Sequence, residues 1–264
     1  MTTPIPTDAR LAVVVSHPAH LLTIVGILLR WRPHILILDE TSRGPGAGQT
    51  ELIREGLKLL GLDGKATFTG IDEDESYQLA IAQNFSSHLK ISDLVYDWLE
   101  ETKPTHVIGD AYEASNFQHD LGRLMLDDAV HRFRKSVAPL ENLEFPLFAQ
   151  REEGDSPGVY GTFLSGDFLE YQLTEAEAST KRRIVEQARH ADGFVNRVAE
   201  EFPDLGREPY RIVPESRDYQ KPPEGLSLYY DGRGREFVAS GKYKTAISFE
   251  EHFLPLVSAL KSRN

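Results

Sequence analysis

Two hydrophobic periods alternate along the first half of the chain. Short apolar runs rich in β-branched residues, Leu11 to Val15, His34 to Leu38, Ala66 to Thr69 and His106 to Gly109, read as strands. Between them the spacing turns helical. Glu51 to Leu60 places Leu52, Ile53, Leu57, Leu59 and Leu60 on a helical pattern and stops at Gly61. Ile91 to Thr102 repeats the pattern and ends before Pro104, and His119 to Phe133 carries Leu121, Leu124, Met125, Ala129 and Val130. This order predicts βαβ units, hence an α/β fold with a Rossmann-like, mostly parallel sheet flanked by helices.

The second half is less regular. Glu144 to Ala149 and Tyr160 to Leu173 read as further strands, and Thr174 to Glu201 as a long charged helix capped by its Thr. Phe202 to Leu226, rich in Pro, Gly, Asp and Arg, reads as irregular surface. A last helix is expected from Phe249 to Lys261, kinked or shortened by Pro255. No linker composition separates the tail, so residues 1–264 are expected to form one domain, with the core over about 10–200 and residues 201–264 packed on it as an extension.

Composition narrows the chemistry. With 29 Lys+Arg against 41 Asp+Glu, the formal net charge of −12 argues against a nucleic-acid groove or an anionic membrane as the main partner. There is no Cys, which excludes disulfides, thiolate zinc sites, iron–sulfur clusters and a Cys nucleophile. Any metal must therefore sit on His, Asp or Glu. The uncharged apolar stretch Leu21 to Leu29 is too short to span a bilayer, so no membrane insertion is expected. The first ten residues lack a secretory pattern, which sets the expectation of a cytoplasmic location. A homo-oligomer is compatible with all of this.

In open α/β sheets ligands bind at the carboxyl ends of strands, so the polar residues after each strand are the candidates. The first strand leads into Ser16-His17-Pro18-Ala19-His20, the second into Asp39 to Arg43, and the fourth into Asp110, Tyr112, Glu113, Asn116, His119 and Asp120. His17 and His20 leave one strand three residues apart, and a third His at another strand end would complete the ligand count of a catalytic zinc site.

These residues give the chain a resemblance to the LmbE-like, or PIG-L, de-N-acetylases, which include the glucosaminyl-phosphatidylinositol, mycothiol and bacillithiol pathway deacetylases. That family's strand followed by A/P-H-P-D-D-E is similar to Val15-Ser16-His17-Pro18-Ala19-His20-Leu21. Its Y-E-G-G-H-P-D-H-D motif resembles Tyr112 to Asp120, matching at Tyr112, Glu113, His119 and Asp120. The run from Gly241-Lys242-Tyr243 to Ile247, with Glu251-His252-Phe253-Leu254-Pro255, is similar to the tail of one bacterial branch.

The resemblance implies an LmbE-like deacetylase fold and one divalent metal on His17, His20 and His119, zinc first, with Fe(II) also suited to the donors. It implies a hydrolase acting on the C–N amide bond of a small N-acyl, sugar-like substrate. It also exposes departures. The family's metal-binding Asp, the second of H-P-D-D, is His20 here, its general base is Ala19, and the His that faces the transition state is Asn116, which still donates a hydrogen bond. Asp110, Glu113, Asp120 and Asp39 are the carboxylates available to replace the base, and Arg43 and Tyr112 are candidate substrate contacts. The missing base leaves two alternatives: a repurposed three-His Fe(II) enzyme with oxidative or lyase chemistry, or a non-catalytic ligand-binding descendant.

Overall fold

A computed structural model describes residues 4–39, 47–149, 159–188, 200–202 and 204–263. The predicted strands form β1 (Leu11–Val15), β2 (His34–Asp39), β3 (Ala66–Ile71) and β4 (His106–Asp110), followed by β5 (Glu141–Phe145). With β8 (Leu169–Gln172) and β9 (Arg207–Ile212) they build a seven-stranded sheet in the order β3-β2-β1-β4-β5-β9-β8. The first five of these strands run parallel, whereas β9 is antiparallel to both β5 and β8. The chain steps outward from β1 to β3 and then returns to the other side of β1 as β4. That reversal puts the crevice between the carboxyl ends of β1 and β4, the usual ligand position of such sheets.

Alternation along the buried strands splits the core into two layers. Ala12, Val14, Leu36 and Leu38 face α4 (Ser86–Thr102), α5 (Phe117–Ser136) and the C-terminal segment. Val13, Val15, Ile35 and Ile37 face α1 (Val25–Trp31), α2 (Ala47–Leu59) and α6 (Glu175–Ala188). Burying both faces of a parallel sheet is why these strands read as continuous apolar runs.

Several expectations are corrected. The segment from Phe202 to Leu226 is not all irregular, since Arg207–Ile212 is the strand β9; its charged residues find buried partners, Arg211 on Glu144 and Glu208 on Lys181. The expected strand Glu144 to Ala149 is β5, which begins at Glu141, plus β6 (Phe148–Ala149), which pairs with β7 (Val159–Tyr160). The stretch from Tyr160 to Leu173 holds β7's end and β8 rather than one strand. Two helices were not expected: α3 (Glu73–Ile81) and α7 (Tyr230–Ala239).

The last helix begins as a π-turn, Phe249–Phe253, and continues without a break as α8 (Leu254–Lys261), with Pro255 near the junction of the two. The long charged helix is described as α6 from Glu175 to Ala188; His190 and most of the remaining span to Glu201 lie outside the described residues.

Candidate metal centre

At the end of β1 the chain turns through His17 into a 3₁₀ turn, Pro18–Ile24, that leads into α1. Pro18 at the first position favours this turn, and the short i to i+3 pitch carries His20 back beside His17. The third imidazole comes from α5. Gly122 allows that helix to press against β1, since a Cβ there would collide with Ser16 Oγ. His119 thereby reaches the pair, and ring centroids are 5.1 Å (His17–His20), 5.2 Å (His17–His119) and 4.4 Å (His20–His119) apart. One nitrogen from each ring lies within 4.8 Å of the others, an arrangement able to hold a metal ion.

Asp110, at the end of β4, supports this cluster from behind. Its Oδ2 accepts the Ser16 amide at 2.8 Å and lies 3.0 Å from His20 Nδ1. Burial disfavours the charged form of Asp110, yet the His20 ring and the Ser16 bonds hold its carboxyl below the usual carboxylate range. An ionised Asp110 makes His20 Nδ1 the donor and leaves Nε2 with its lone pair for a ligand. Burial lowers the His17 pKa to about 4, so this ring is neutral and able to donate a lone pair at pH 7.

Asn116 is the N-cap of α5. Its Oδ1 accepts the Gln118 amide at 2.9 Å while Nδ2 lies 3.2 Å from His119 Nε2. Asp39, at the end of β2, is buried with Oδ2 4.0 Å from His17 Nδ1. Burial and the charges of Glu73, Asp110 and Asp72 push its carboxyl well above the usual range.

Other expected site residues are placed differently. Both carboxylate oxygens of Glu113 accept backbone amides, from Leu147 and Phe148, each at 2.8 Å. Asp120 accepts the Glu113 amide at 2.9 Å and the Tyr230 hydroxyl, and burial raises its pKa to about 7. Tyr112, expected against substrate, is buried in an aromatic layer with Tyr219 and Phe253, and its hydroxyl is donated to the Lys221 carbonyl at 3.0 Å. Arg43 lies outside the described residues. His252 is packed in the C-terminal segment, accepting the Ser248 amide at 3.0 Å.

Sequence reasoning missed the rim. Glu73, at the start of α3, and Lys242, after α7, both act electrostatically on His17, and their charged atoms are 3.8 Å apart. The Asp72 cap of α3, whose side chain accepts the Glu75 amide at 3.1 Å, is the signal that would have found Glu73.

A mostly parallel sheet with three imidazoles at its switch point defines an α/β protein with the LmbE-like deacetylase fold. Among solved structures, the chain is similar to a triple mutant of a deacetylase of the teicoplanin biosynthetic pathway, with a TM-score of 0.51 at 13% identity, over 79% of this chain and 99% of that one. It is also similar to the conserved protein TT1542 from Thermus thermophilus, at 0.45 and 19%, over 80% and 100% of the two chains. The A40926 pseudoaglycone deacetylase Dbv21 aligns at 0.45 and 12%, over 80% and 99%. No family model and no curated protein matches the sequence. Among the described residues, no helix is long and apolar enough to cross a membrane.

Proposed function

We propose that this protein is a metal-dependent hydrolase that cleaves the C–N amide bond of a small N-acyl, sugar-like substrate. The observation carrying this reading is the convergence of His17, His20 and His119, with Asp110 behind His20. The donor set fits a divalent cation. Three imidazoles, one hydrogen-bonded through a ring nitrogen to a carboxylate, form the ligand pattern of an open catalytic zinc site, and ferrous iron suits the same donors. The deacetylase fold supports the reading at the level of architecture.

The chemistry such an ion supplies is Lewis-acid polarisation of the acyl oxygen and activation of water. Protein groups supply the rest. Asn116 Nδ2, held beside His119 by the N-cap bond of its own Oδ1, donates to the acyl oxygen as it becomes negative. A donor of this kind contributes about 10² to 10³ in rate. Asp110 fixes the ring orientation and tautomer of His20. Glu113 and Asp120 hold the loops around the site, and Arg43 is a contact for an anionic group of the substrate.

The test is metal analysis of purified wild-type and His119→Ala protein, with amine release assayed on N-acetyl amino sugars. Wild type should carry about one ion per chain and turn over, and the variant should lose both. Metal content unaffected by the substitution would sink the reading. Turnover requiring Fe(II) and dioxygen would replace hydrolysis with the oxidative alternative.

A further inference from the structure

We infer that Asp39 is the general base of this site, a carboxylate relocated to the neighbouring strand from the position that Ala19 occupies. The inference rests on the hydrolase reading above and on three observations.

The first is that position 19 no longer faces the chemistry: Ala19 is buried in the apolar layer with Leu21, Leu22 and Ile24. The second is backbone geometry. The Asp39 amide donates to the Ser16 carbonyl at 2.7 Å, which fixes Asp39 directly beside the β1 exit. The Asp39 carboxylate lies 4.0 Å from His17 Nδ1.

The third is that the other carboxylates are committed or sealed. Asp110 Oδ2 holds His20 and the Ser16 amide while its partnerless Oδ1 is fully buried, Glu113 spends both oxygens on amides, and Asp120 holds the Glu113 amide and Tyr230. Glu73 faces Lys242 on the more open rim. No hydrogen bond to the Asp39 carboxylate is found among the described residues, although Asp39 is only 4% exposed. A water between Asp39 and the acyl carbon would give this carboxylate a hydrogen-bond donor.

The step balances without a co-reactant. Asp39 takes a proton from the attacking water as its oxygen bonds to the acyl carbon. When the C–N bond breaks, the same proton passes to the leaving nitrogen, giving carboxylic acid and amine.

Asp39→Asn and Asp39→Gly test this on the N-acetyl amino sugar that wild type turns over best, with metal content read in parallel. For Asp39→Asn we expect kcat to fall by about 10² to 10⁴ with KM and metal per chain unchanged. Formate should restore part of the turnover to Asp39→Gly, where it fits the space left, and none to Asp39→Asn. Turnover within tenfold of wild type overturns the assignment, as does loss of metal with the substitution, which would make Asp39 a ligand. Loss of folding in both variants overturns it too, because Asp39 would then be structural. If wild type binds metal but hydrolyses no amide, the hydrolase reading itself has failed and takes this inference with it.

Discussion

Asp110 shows how much one carboxylate does when it closes a strand. It accepts a backbone amide and an imidazole at once, so it ties the β1 exit to β4 and sets the tautomer of His20. Asp110→Asn keeps the shape but replaces an anionic acceptor. We expect metal affinity to drop by about 10- to 100-fold with the fold intact, read by competition with a chromogenic chelator. Asp120 contributes to pH dependence, alongside the raised carboxyls of Asp39 and Glu113. Its carboxyl, ordinarily near 3.8, is raised to about 7 by burial, so the native state holds its proton more tightly than the unfolded chain. The stability it contributes is complete below its unfolded pKa and is lost as pH rises through about 7. Asp120→Asn carries no charge and keeps an acceptor for the Glu113 amide. Urea midpoints of chelator-treated protein should therefore fall less between pH 4 and 8 in the variant than in wild type. An unchanged slope would exclude Asp120 as the titrating group.

At the scale of elements, β1, β2, β4 and α5 were legible because burial on both sheet faces and a broad helical stripe leave strong periodic signals. The three clustered histidines, His17, His20 and His119, were legible for the same reason, since they lie at the ends of those elements. β9 was not, because its run Arg207–Ile212 contains Pro209 and charges whose partners are distant in sequence. Glu208 accepts the Gly26 and Ile27 amides at 2.7 and 2.8 Å, and Lys181 Nζ bonds Glu208 at 2.8 Å and the Thr23 carbonyl at 2.7 Å. This buried pair fastens the turn that carries His20. Lys181→Met strands a buried carboxylate and should cost about 3–5 kcal/mol in chemical denaturation. Adding Glu208→Gln should recover much of that loss. If the double variant is as unstable as the single, the stranded charge is not the cause.

Across the whole molecule, the C-terminal segment is part of the main core. Tyr230, Tyr243, Phe249, Phe253 and Leu256 belong to the same buried layer as Val14 and Leu121, and the Tyr229 amide donates to the Ala114 carbonyl at 3.0 Å. We expect one cooperative unfolding transition, with tryptophan fluorescence and far-UV circular dichroism coinciding. Two separated transitions would mean that residues 201–264 fold as a unit of their own.

The three imidazoles also bear on how the chain resists unfolding. His20 and His119 are about a hundred residues apart, and the sequence has no Cys with which to join distant segments. An ion gripping both would act as a removable staple, closing a loop that takes in β2, β3 and β4. At a free-zinc concentration one hundred times the dissociation constant, the native state should gain about 2.7 kcal/mol. Chelation should take that gain away, and His119→Ala should never show it. The availability of metal would then set how long the folded protein survives as well as whether it reacts.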